Sequence, residues 1–181
     1  MANFRLDFKT LEKAVNIVRQ EFYDIGIFTK KIYNVDVNML MGIRGVLYAL
    51  LADKVFSPVV MGYYLESINI PEFCYTRCSI RDVLRHEYGH AFADLHPMPF
   101  KRRFFSDAFG GVYDAVKSEM QSPERCVSNY ATTNIMEDFA ETFMLYVKYK
   151  GIIPTRFKEN YYIKMKWKSV SGVISLLKKY K

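Results

Sequence analysis

With 181 residues, half of them apolar, the chain is long enough to bury one sizeable core, and a single domain over residues 1–181 is expected. A net charge of +7 and a pI near 9.2 suit anionic partners, but the cations gather late, from Lys148 to Lys181, where a solvated helix face explains them most simply. The opening residues carry charges and no apolar stretch of a signal peptide, and no run of about 18 apolar residues occurs, which excludes an evident membrane span.

Residues 8–22 read as an amphipathic helix, with Leu11, Ala14, Val15, Val18 and Phe22 on one face and Lys9, Glu12, Lys13, Asn16 and Arg19 on the other. Gly26 ends it. Residues 27–37 alternate and are partly β-branched, which predicts a strand, whereas 38–53 fit a buried strand or a short helix equally well. After Pro58, residues 59–64 and 68–70 read as two adjacent short strands, stopped by Pro71. Residues 80–95 contain no proline and repeat Val83, Leu84, Tyr88, Ala91, Phe92 and Leu95 at helical spacing; Pro97 and Pro99 then disfavour helix in the residues before them. Residues 102–119 read as helix with a weak point at Gly110 and Gly111, and 122–129 as a loop. Thr133 or Asn134 can cap a helix running to about residue 149, closed by Gly151 and Pro154. The tail, 156–181, is one helix or a pair broken near Gly172. Cys74, Cys78 and Cys126 make no disulfide framework, and Cys74 and Cys78 lack two further ligands at finger spacing, so free thiols are expected.

Two clusters carry chemistry. The first is His86-Glu87-Tyr88-Gly89-His90 in the helix 80–95. Residues four apart lie on one helix face, so both imidazoles can reach a single ion, and Glu87 beside them is placed to take a proton from water activated by that ion. The second is Glu137 and Glu141, again four apart, on a partly apolar helix that needs a reason for two carboxylates on one face. A solvated pair at a groove edge is one explanation. The other makes Glu137 the third protein ligand and Glu141 a carboxylate that accepts the free N–H of one imidazole. Two histidines and one glutamate leave a fourth position open, as catalytic zinc sites do.

Taken together, His86-Glu87-Tyr88-Gly89-His90, Glu137-Asp138-Phe139-Ala140-Glu141 and the preceding Asn129-Tyr130-Ala131-Thr132-Thr133-Asn134 resemble the gluzincin metallopeptidases, most closely the catalytic domain of the anthrax lethal factor type. The likeness covers roughly residues 80–145. It implies one zinc per chain held by His86, His90 and Glu137, with Glu87 as general base and Tyr130 donating to the oxyanion. It also implies a compact α+β fold, a small mixed or antiparallel sheet packed on the His-Glu-x-x-His helix, and peptide-bond hydrolysis as the activity. Asp138 departs from the family pattern, which has an aromatic residue there.

His86 to His96 also fits the metzincin spacing except that Ala93 stands where that pattern has glycine, so a peptidase using His96 as third ligand is the competing assignment. A metal-binding protein without catalysis, or a basic module binding nucleic acid or protein, is the alternative outside enzymes. The expected partner is a peptide or protein substrate, added as an extra strand along residues 59–70. Nucleic acid is not expected as a partner, and a monomer in the cytoplasm is, with export as a secreted effector left open.

Overall fold

The computed structural model describes residues 8–27, 34–40, 44–51, 54–60, 80–113 and 121–179. Its helices are α1 (Phe8–Asp24), α2 (Ile80–Leu95), α3 (Pro97–Phe100), α4 (Arg103–Phe109), α5 (Ile135–Lys148) and α6 (Tyr161–Lys179), with single 3-10 turns at Pro123–Arg125, Tyr130–Thr132 and Thr155–Phe157. Between α1 and α2 the backbone alone is described, as an antiparallel meander of Asn34–Leu40, Arg44–Leu51 and Lys54–Val60. Every side chain described stands on a helix, a turn or a loop, and the core these side chains build is helix on helix. That corrects the expected α+β class, in which a sheet packs on α2. The alternation that predicted strands reports local backbone and not which layer covers the site helix. The strands expected at 61–64 and 68–70, with most of the proposed substrate edge 59–70, lie outside the described residues, as do Cys74 and Cys78.

Aromatic side chains fill the main core. Phe22 of α1 meets Tyr88 of α2 edge to face at 5.0 Å and Phe143 of α5 at 5.8 Å, while Phe92 stacks on Phe143 at 5.2 Å. Phe139 of α5 is surrounded by Phe100, Phe105, Phe109 and Tyr113 at 4.8–5.9 Å. Such pairs add about 1 kcal/mol each beyond the area they bury, so α5 is anchored along its length. A second cluster, built on Met144, Leu145, Ile163 and Trp167, joins the other side of α5 to α6.

Charges tie the same helices. The Arg85 guanidinium, buried one residue before His86, grips Glu21 of α1 with two bonds of 2.7 Å and also bonds Asp82, which in turn accepts from Lys148 of α5 at 2.7 Å. Behind α5, the ammonium of Lys166 sits 2.5 Å from the carboxylate of Asp138, both fully buried. Lys166 also donates to the carbonyl of Arg125 and to Gln121. This lysine therefore leaves the solvated face to which the basic tail was assigned. Burial pushes Asp138 up to about 6 against the opposing pull of Lys166.

Candidate metal centre

The site lies where α2 crosses α5. Gly89 eases that crossing: a Cβ at this position would stand 3.1 Å from the Cα of Ala140 and 3.2 Å from the Phe143 ring, so any larger residue would push the two helices apart by a few tenths of an ångström. The crossing sets the Nε2 side of the His86 and His90 rings opposite the first turn of α5. There Asn134 caps the helix, its side-chain oxygen accepting from the Glu137 N–H at 2.9 Å. With its backbone N–H held by the cap, Glu137 turns its carboxylate outward to the imidazoles.

Three ligand atoms converge. Nε2 of His86 and Nε2 of His90 are 3.3 Å apart, and Oε2 of Glu137 is 3.1 Å from the first and 3.4 Å from the second. Among the described residues this is the group of histidine, cysteine and carboxylate atoms close enough to share one ion. Hydrogen bonding does not account for it, because Oε2 of Glu137 is buried and makes no hydrogen bond despite these distances, a costly arrangement for a carboxylate oxygen. A four-coordinate zinc with bonds of about 2.0–2.1 Å has neighbouring ligands on the order of 3.3 Å apart. The observed triangle fits that spacing on all three sides.

Each imidazole is oriented from behind. Nδ1–H of His86 donates to Oε1 of buried Glu141 at 2.8 Å, and the other oxygen of Glu141 accepts from the Ser128 hydroxyl at 2.7 Å. A carboxylate can only accept, so His86 carries a proton on Nδ1 and turns Nε2 toward Glu137. His90 is held the same way by a neutral partner, its Nδ1 lying 2.8 Å from the Tyr113 hydroxyl oxygen. The Tyr113 ring is in turn set by Phe100 and Phe139.

No protein-family model, curated protein or solved structure matches the chain. What the centre can do follows from its own donors.

Of the residues singled out in the sequence, His86, His90, Glu137 and Glu141 come together, and the Tyr130 ring lies 5.8 Å from that of His86 at the partly exposed edge of the group. Glu87 is on α2 between the two histidines, but its side chain lies outside what is described. His96 is not brought in. It stands at the start of α3, edge-on to Phe92 at 5.4 Å, and burial lowers its pKa, so a protonated ring bonded to the helix end is disfavoured too. The odd residue Asp138 points to Lys166 and away from the histidines. Tyr113 and Ser128 were missed: each acts on the ligands through long-range packing, and neither carries a spacing signal.

Proposed function

We propose that the chain is a zinc-dependent metallopeptidase of gluzincin type, hydrolysing peptide bonds in a peptide or protein substrate. The observation that carries this is the meeting of two imidazole nitrogens and one carboxylate oxygen at tetrahedral spacing, with Nδ1 of each histidine engaged from behind so that Nε2 faces the group. His86, His90 and Glu137 hold the ion, three ligands that leave a position open. When bound, zinc supplies a Lewis acid that polarises the scissile carbonyl and acidifies water. Glu87 takes the proton of the attacking water and passes it to the leaving amine. Tyr130 donates its hydroxyl to the developing oxyanion. Glu141 and Tyr113 keep the imidazole planes fixed while this happens. Among the described residues no helix is long and apolar enough to cross a membrane.

Reconstituted at neutral pH and freed of excess metal, the protein should hold about one zinc per chain and cleave an unstructured protein such as casein, with activity lost to a chelator and restored by zinc. Elemental analysis that finds no zinc would end the peptidase reading.

Removing either supporting group should loosen the ion without releasing it. Glu141→Ala and Tyr113→Phe are each expected to weaken zinc binding about 10–100-fold, read by competition with a chromophoric chelator. An unchanged affinity would reduce that residue to a packing role.

A further inference from the structure

We propose that the turn joining α5 to α6 docks the protein on an anionic lipid surface. The turn presents Ile152, 71 % exposed, the most exposed large apolar side chain among the described residues. This is not slack chain. Lys150 adopts φ 51° and Gly151 φ 80°, the Gly151 N–H donates back to the Tyr146 carbonyl at 2.8 Å, and the Gly151 carbonyl accepts from the Trp167 indole N–H at 2.7 Å. A lysine held in the left-handed region is strained, and such strain persists only where the surroundings enforce it. Here the turn is locked with its isoleucine facing outward.

The chemistry around that tip is what an acidic bilayer recognises. From residue 148 to 168 the sequence has seven cations, Lys148, Lys150, Arg156, Lys158, Lys164, Lys166 and Lys168, against the single carboxylate of Glu159. Lys166 is buried, and Lys148 and Lys150 pair with Asp82 and Asp24. Arg156 and Lys158, next to Ile152 on the same open groove, have no carboxylate partner among the described residues. Tyr149 in that groove is 39 % exposed, and Tyr161 at the start of α6 is 66 % exposed. An exposed isoleucine sharing its groove with Arg156, Lys158 and the amphipathic Tyr149 suits the headgroup and acyl boundary, where apolar insertion and charge attraction add. An acidic protein partner would meet the cations alone, whereas a bilayer meets the exposed isoleucine and the cations together. Glu137 and Tyr149 lie at opposite ends of α5, about 18 Å apart along its axis, so docking leaves the metal centre uncovered.

The test is flotation of the full chain with vesicles of phosphatidylcholine alone or with about 30 % phosphatidylserine. Binding is expected only to the anionic vesicles and should fade as salt is raised. Ile152→Asp should lower partitioning at least about tenfold, and Arg156→Glu or Lys158→Glu about fivefold or more each; all three side chains are exposed enough to change without unfolding the chain. The proposal is overturned by no binding to anionic vesicles, by binding that Ile152→Asp leaves unchanged, or by an Ile152-dependent dimer in sedimentation without lipid binding. Equal capture by acidic polypeptide and by vesicles, both indifferent to Ile152, overturns it as well.

Discussion

Glu137→Ala should weaken zinc binding well beyond the roughly 100-fold that loss of an orienting partner produces, while His96→Ala leaves it within a few-fold. The two residues were rival third ligands, one on a distant helix and one at the end of the histidine helix itself. In the folded chain Oε2 of Glu137 is within 3.4 Å of both imidazole nitrogens. A glutamate carboxyl ordinarily ionises below the pH at which histidines lose their protons and become free to bind metal. The ring of His96 is instead engaged edge-on with Phe92. Chelator competition on folded protein decides between them, and the opposite ranking would remove Glu137 from the centre.

Glu87→Gln should keep zinc at the wild-type ratio and the wild-type fold, yet reduce peptide hydrolysis by roughly 10²–10⁴-fold, the usual worth of a positioned general base. The substitution deletes the basic oxygen and leaves His86, His90 and Glu137 untouched, so metal content and turnover must separate. Turnover of casein at the wild-type rate would take the base role away from Glu87. Loss of zinc along with activity would show instead that the residue supports the site and not the proton transfer.

How much of this was legible beforehand depends on range. The helices at 8–24, 80–95 and 135–148 follow from apolar periodicity and from Asn134 as a cap, and each is present within two residues of its expected end. Both i, i+4 pairs, His86 with His90 and Glu137 with Glu141, are local facts of helix geometry, and the fold preserves them. That α2 and α5 meet at all was inferred from a motif. What eases their approach, the absence of a Cβ at Gly89, is invisible until Ala140 is placed against it. Tyr113 is one of fourteen tyrosines, and nothing in its neighbourhood distinguishes it before the chain has folded it under His90. Lys166 was misread for the converse reason: on a helix of regularly spaced cations, only tertiary packing selects the one that turns inward. The expected α+β class failed because apolar alternation describes a strand without saying what builds the core, which among the described side chains is helix on helix.

The buried pair behind α5 bears on which acid reaches the histidines. Glu137 and Asp138 are consecutive carboxylates, and a helix advances about 100° per residue. A rotation of α5 by one step would offer Asp138 to His86 and His90 with a shorter side chain, move Glu137 to the exposed place of Met136 and turn Phe139 toward Lys166. Lys166 forbids that setting, because its buried ammonium would then face no carboxylate, an error costing about 3–5 kcal/mol. The pair thus works as an angular key: it tells otherwise interchangeable neighbours apart, and it does so from the side of the helix turned away from the histidines.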